Sequence, residues 1–391
     1  MCKRNRRDFV ETPGSLFATL HVSHTLHLEG GPEGHLPQAL QDGIPWGDAV
    51  GKLPNGIEGR NLTMCTAMRL TMVRLAALAA AAVGIWLPSG LCAADQTTGE
   101  VWLISTRRAP SFCPENPDTA QLDYWRMGAD RQWIPADQKA FLAGDNPAIP
   151  TSFYIHGNRS DEEDAVREGW GFYQVLQSQA PNRPLRYVIW SWPADRIAGR
   201  NRYDVQVKAC RSDGQSCYLA VLIRQIKPSV PVSLVGYSFG ARIITGALHI
   251  LAGGEVAGQV LPQPDPAAQR TPLRAVLVAA GVDYDWLLPD HYHGLALDRA
   301  DRVLITVNAA DPVLKRYPLM YRRRGPEALG YVGPAGTPQC GQEQGKIELL
   351  NVACSVGKTH DWDCYQADPA LRSRLARYAF LEPSPAEVKQ P

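Results

Sequence analysis

Gly236, Tyr237, Ser238, Phe239 and Gly240 follow directly on an apolar run, Pro231 to Val235. They precede a segment whose Ile243, Ile244, Ala247, Leu248 and Leu251 share one helical face. A serine flanked by glycines two residues away on either side, between a buried strand and an amphipathic helix, is the arrangement of a nucleophile elbow. The sharp turn presents the serine hydroxyl at the strand's carboxyl end, and the glycines let strand and helix approach closely. A serine hydroxyl is a weak nucleophile at neutral pH, so the same chain must also supply a base and a group to orient it.

The base expected is His360, in Lys358, Thr359, His360, Asp361, after the last plausible strand. His249 falls inside the helix behind the elbow, and His291 and His293 fall between strands. The acid expected is Asp311, in Asn308, Ala309, Ala310, Asp311, Pro312, which gives the chain order serine, acid, histidine. Asp283 and Asp285 also follow a strand and remain alternatives, whereas Asp361 is too close in sequence to His360 to turn back on it. Upstream, Phe153, Tyr154 and Ile155 run into His156, Gly157, Asn158 and Arg159. This is a place for a backbone donor to an oxyanion, with Asn158 preferred to Gly157 and the amide of Phe239 as the second donor. His156 itself reads as a hydrogen-bonding support of that turn rather than as a base.

Something must hold these residues together. Apolar runs at Val101 to Ser105, Ser152 to His156, Arg186 to Trp192, Val230 to Gly236, Leu273 to Ala280 and Arg302 to Asn308, and a weaker one at Ile347 to Ala353, alternate with helical patterns. Such near-continuous runs belong to a mainly parallel sheet covered by helices on both faces. Ser160 with Glu163 predicts a capping box opening a helix to about Gln179, and another helix follows Pro369. Leu261 to Pro272 reads as a surface loop.

The whole chain has 391 residues, 45% of them hydrophobic, and its 40 Lys plus Arg against 39 Asp plus Glu give a net charge of +1. A disordered chain is excluded by the first figure and a dedicated nucleic-acid binder by the second. Met68, Arg69, Met72 and Arg74 precede an apolar run from Leu75 to Leu87, and Cys92, Ala93 and Ala94 follow. Residues 64–94 therefore read as a secretory signal cleaved near Ala93 or Ala94, or as an uncleaved anchor that would be the chain's sole tie to a membrane. Leu91 argues against a lipid anchor on Cys92. Residues 1–63 lack strand or helix periodicity and read as an upstream mis-start or an unstructured extension, with Met64, Met68 or Met72 the initiator and His21, His24 and His27 no metal cluster. Residues 95–391 are then one exported domain, periplasmic or secreted. Six cysteines remain in it: Cys113, Cys210, Cys217, Cys340, Cys354 and Cys364. The turn-like Ser212, Asp213, Gly214 predicts a disulfide between Cys210 and Cys217.

From Val101 to about Leu381 the chain resembles the α/β-hydrolase superfamily, and in particular its bacterial serine esterase-like branch. The resemblance rests on Gly236 to Gly240, on the strand into His156 and Gly157, and on Asp311 and His360 in their chain order. It implies a hydrolase with Ser238 as nucleophile, Asp311 as acid, His360 as base, and Phe239 and Asn158 as oxyanion donors. Its substrate would be a small-molecule or lipid-like carboxylic ester or thioester, with acyl transfer also open. The stretch from Ala280 to Arg302, about 20 residues, leaves no room for a large cap domain, though Tyr284, Trp286 and Tyr292 are placed to line an acyl pocket or simply to pack. With no GxGxxG, P-loop or HExxH, no cofactor and no catalytic metal are expected. An inactive or zinc-stabilised binding protein on the same scaffold is the alternative, suggested by Cys340, Cys354, His360 and Cys364.

Overall fold

Strands without a polar face must be covered on both sides, and four of the apolar runs meet that condition in full: every residue of Val101–Ser105, Thr151–Ile155, Arg186–Ser191 and Val232–Tyr237 is buried. The computed structural model describes residues 99–111, 113, 121–199, 201–262, 269–321, 325–336 and 345–382. The expected export segment 64–94, residues 1–63 with His21, His24 and His27, and Cys340 lie outside the described residues. Among the described residues no helix is long and apolar enough to cross a membrane.

The strands are β1 (Val101–Ser105), β2 (Asp123–Met127), β3 (Trp133–Ala136), β4 (Thr151–Ile155), β5 (Arg186–Ser191), β6 (Val232–Tyr237), β7 (Leu273–Val278), β8 (Arg302–Val307) and β9 (Ile347–Asn351). They form one sheet in the order β3-β2-β1-β5-β4-β6-β7-β8-β9. From β1 to β9 every neighbouring pair is parallel, and only β2 runs against its neighbours. The helices are α1 (Gln138–Ala143), α2 (Glu162–Gln179), α3 (Asn201–Gln225), α4 (Phe239–Leu251), α5 (Ala296–Arg299), α6 (Leu329–Val332), α7 (Trp362–Gln366) and α8 (Pro369–Tyr378), with a 3-10 helix at Leu314–Met320.

From β4 the chain steps through α2 outward to β5, then returns through α3 past β4 to β6. Right-handed crossovers in opposite directions put their helices on opposite faces. Accordingly α3 packs with α4 on one side, and α2 with α7 and α8 on the other. The reversal leaves a crevice at the carboxyl ends of β4 and β6, where a doubly wound sheet places its ligands. This is the α/β-hydrolase fold. Between β7 and β8 the chain makes bends and the single turn of α5, with no cap domain inserted.

Three local expectations are corrected. The cap of α2 is Asp161, whose side chain accepts the Asp164 N–H at 2.9 Å, and not Ser160. With Glu162, Glu163 and Asp164 following, the first turn gathers negative charge at the positive end of the helix dipole. The hairpin of β2 and β3 is additional to the expected strands, and Pro135 in it lacks the N–H that a central strand needs. It lies on the outermost strand, where that donor is dispensable. Lastly, Ser212, Asp213 and Gly214 are not a turn but the middle of α3, buried against α4. Their polar atoms are satisfied within this layer, Ser212 Oγ by the Ala209 carbonyl at 2.6 Å and Asp213 by Arg242 at 3.1 Å.

Cys210 and Cys217 are therefore two turns apart on one unbroken helix, roughly 10 Å along its axis. A disulfide requires Cα atoms within about 7 Å, so the predicted bridge does not form, and both thiols are free. Cys217 instead neighbours Cys113, and that thiol holds the Cys217 pKa below its usual value.

At the start of β5, Arg186 is almost wholly buried and meets Asp145 at 2.5 Å, the Phe141 carbonyl and Thr151 Oγ1 at 2.9 Å each, and the face of the Phe141 ring. Arg186→Met would leave the Asp145 carboxylate buried without its cation. It should destabilise the protein by about 3–5 kcal/mol, read as a lowered urea midpoint. An unchanged midpoint would show that the pair contributes nothing.

Candidate active site

The elbow is strained as its residue pattern demands. Ser238 sits at φ 53° and ψ −112° between β6 and α4, a region that a non-glycine residue occupies only when its surroundings enforce it. Two backbone bonds do so: the Ser238 N–H donates to the Val278 carbonyl at 2.9 Å, and the Gly281 N–H donates to the Ser238 carbonyl at 3.1 Å. Both flanking glycines are sterically required. A Cβ on Gly240 would stand 2.1 Å from the Ile155 carbonyl oxygen, and one on Gly236 would stand 2.6 Å from the Gly240 backbone.

His360 reaches this serine from the loop between β9 and α7. Its Nε2 lies 3.1 Å from Ser238 Oγ and its Nδ1 lies 2.6 Å from Asp311 Oδ2. Asp311 is fully buried beyond β8, where its Oδ1 accepts the N–H groups of Val313 at 2.8 Å and Leu314 at 3.0 Å. Its Oδ2 also accepts the Tyr365 hydroxyl at 2.8 Å. Burial alone would raise the Asp311 pKa, but the hydrogen bond and charge of His360, the Leu314 amide and Tyr365 together hold it below the usual carboxylate value. Asp311 is thus kept ionised against the imidazole.

The competing acids are engaged elsewhere. Asp283 accepts the hydroxyls of Tyr317, at 2.7 Å, and Tyr321. Asp285 faces His291 at 3.5 Å, and Asp361 caps α7 by accepting the Asp363 N–H at 3.0 Å. His249 Nδ1 accepts the Leu295 N–H, and His293 Nδ1 meets Thr245 Oγ1. Both ring nitrogens of His360 are occupied by Asp311 and Ser238, and Cys354 and Cys364 are exposed free thiols. Among the described residues no group of three His, Cys, Asp or Glu side chains is placed to hold a metal ion.

The turn after β4 lies against Ser238, since a Cβ on Gly157 would stand 3.2 Å from Ser238 Cβ. His156 is fully buried beneath it. Its Nε2 accepts the Trp192 N–H at 3.0 Å, which leaves Nδ1 to donate to the Gly157 carbonyl at 2.9 Å. Burial, with the nearby charge of Arg107, lowers its pKa to about 3, so it stays neutral and supports the turn. Phe239 opens α4, and the first amides of a helix have no intrahelical acceptor.

No protein-family model and no curated protein matches this chain. Solved structures do align with it. A Zea mays acyl-protein thioesterase 2 is 13% identical, over 59% of this chain and 94% of its own, with a TM-score of 0.30. The Staphylococcus aureus fluorophosphonate-binding serine hydrolase FphF is 14% identical, over 72% and 98%, with a TM-score of 0.32. An acetyl xylan esterase is 12% identical, over 62% and 97%, with a TM-score of 0.28. The chemistry open to this chain rests on its own side chains.

Two of those side chains carry no mark in the sequence. Tyr365 is fully buried and bridges Asp311 to Asn308, whose Nδ2 donates to the tyrosine oxygen at 3.1 Å and to the Gly357 carbonyl at 2.9 Å. Tyr237, beside Ser238, donates its hydroxyl to the His360 carbonyl and lays its ring 5.3 Å from the imidazole. The aromatics expected near an acyl pocket divide differently. Trp286 and Tyr292 pack on one another at 4.6 Å, with Arg242 over the Trp286 ring, while Tyr284 is exposed.

Proposed function

We propose that this chain is a serine hydrolase that cleaves a carboxylic ester or thioester through an acyl-enzyme on Ser238. The observation that carries this proposal is the unbroken hydrogen-bonded series from Asp311 through His360 to Ser238 Oγ, on a serine whose backbone is held in a strained conformation. In the first half-reaction His360 Nε2 takes the Ser238 proton while Oγ bonds to the carbonyl carbon, and the carbonyl electron pair moves onto oxygen. The N–H groups of Phe239 and Asn158 are the donors proposed for that oxyanion. Collapse expels the alcohol or thiol with the proton held on His360. Water then repeats the sequence, with His360 as its base, and releases the acid. Asp311 keeps Nδ1 protonated throughout, so that Nε2 is the free acceptor.

The test is labelling with a fluorophosphonate probe followed by peptide mapping, alongside assays on short acyl esters and thioesters. Modification at Ser238 together with turnover is the expected result. A folded protein that takes no label and turns over neither substrate would overturn the proposal.

Tyr365→Phe keeps the ring but removes one donor from Asp311. A hydrogen bond to a charged group contributes about 1.5–3 kcal/mol, so kcat on a short acyl ester should fall by about 10- to 100-fold with KM unchanged. A wild-type kcat would mean that Val313, Leu314 and His360 suffice to hold the carboxylate.

A further inference from the structure

The turn that faces the nucleophile is tied to an ion cluster beneath it. Lys208, on α3, has no solvent exposure, and its Nζ lies 2.5 Å from Asp204 Oδ1 and 3.4 Å from Asn158 Oδ1. Asp204 is equally enclosed. Its Oδ1 also accepts the Ile197 N–H at 2.9 Å, and its Oδ2 accepts Arg159 Nε at 3.0 Å. Arg159 itself stands at φ 69°, a left-handed conformation, and its N–H donates to the Ala194 carbonyl at 2.9 Å. Two consecutive residues of the turn, Asn158 and Arg159, are thus held through their side chains by one lysine and aspartate pair.

Stability alone gives no reason for that pair. A buried ion pair generally contributes no more than apolar residues of the same volume, because both charges lose their water. An oxyanion donor has the opposite requirement, since its N–H must already point at the developing charge and must not reorganise during the step. A non-glycine residue in the left-handed region keeps that conformation only where its surroundings hold it. The bonds to the side chains of Asn158 and Arg159 are part of that hold. Two cations against one carboxylate also leave the ground under the turn electropositive, the sign that favours an oxyanion.

We propose that Lys208, held by Asp204, is a positioning residue that fixes the Asn158 turn as the second wall of the oxyanion site. The proposal rests on the hydrolase reading given above. Lys208 touches neither substrate nor the reacting atoms; it acts through Asn158.

The experiment compares wild type, Lys208→Met, Asn158→Ala and the double variant. Asn158→Ala keeps the backbone N–H and removes only the side-chain acceptor. The readouts are the rate of fluorophosphonate labelling at Ser238, kcat and KM on a short acyl ester, and thermal melting. Each single variant should lower kcat and the labelling rate by about 10- to 100-fold, with KM within about twofold of wild type. The double variant should lose no more than the worse single one, because both remove the same tether. Purely structural damage would instead lower the melting temperature and the folded fraction while leaving kcat per folded molecule unchanged. A folded Lys208→Met with wild-type rates, or losses that multiply in the double variant, would overturn the proposal. Should Lys208→Met not fold, Asn158→Ala decides, and wild-type rates there reject it. An unlabelled, inactive wild type is a separate outcome that overturns the hydrolase reading, and this proposal with it.

Discussion

Ser238→Ala should reduce ester turnover by about 10⁶-fold, the largest change any single substitution here is expected to produce. The hydroxyl lies 3.1 Å from His360 Nε2 on a turn that no other nucleophilic side chain shares, since its neighbours are Tyr237, whose hydroxyl is bound to the His360 carbonyl, and Phe239. The protein should remain folded. The strain at Ser238 is imposed by backbone bonds to Val278 and Gly281, which alanine preserves. His360→Ala should cost about as much, and the double variant little more, because the proposed nucleophile and base act in one step and cannot be lost twice. Turnover of an ester and loss of phosphonate labelling measure the same event independently. A Ser238→Ala protein that still hydrolyses the ester at a rate near wild type would mean that the chemistry takes place elsewhere.

How much of this was legible beforehand depends on how local each cause is. The elbow was, because steric need is written within five residues: Gly236 and Gly240 stand where a Cβ would collide with backbone. The strands β4, β5 and β6 were equally plain, since their burial on both faces leaves an unbroken apolar run. Helix α3 was not. It is polar on paper, yet Asp213, Ser212 and Ser216 find partners on α4 or on their own preceding turns, and burial follows from packing that spacing alone does not report. That one misread segment also produced the disulfide that does not form. Tyr365 and Lys208 were invisible for a related reason. Tyr365 meets Asp311 from 54 residues away and Lys208 meets Asn158 from 50, and neither residue type suggests its task. His360 and Asp311 were reached through chain order and their places after predicted strands, which left Asp283 and Asp285 in contention.

The acid is the assignment that one substitution can decide. In Asp311→Asn the new side chain has one orientation that the surroundings favour. The Val313 and Leu314 N–H groups both point at the position of Oδ1, so the amide oxygen should stay there and the NH2 group should take the place of Oδ2. That NH2 group then faces His360 Nδ1 across 2.6 Å, where the wild type has an acceptor. The imidazole must respond by accepting at Nδ1 and carrying its proton on Nε2, which makes it useless as a base toward Ser238. The Tyr365 hydroxyl, which donates to the same position, would have to turn away. Turnover should fall by about 10⁴-fold with KM little changed and the fold retained. Asp283→Asn disturbs only the hydroxyls of Tyr317 and Tyr321, and Asp285→Asn only an exposed contact with His291. Both should stay near wild type. If instead Asp283→Asn or Asp285→Asn lost activity on that scale while Asp311→Asn kept it, the acid would belong after β7, and the hydrogen bond between Asp311 and His360 would be structural.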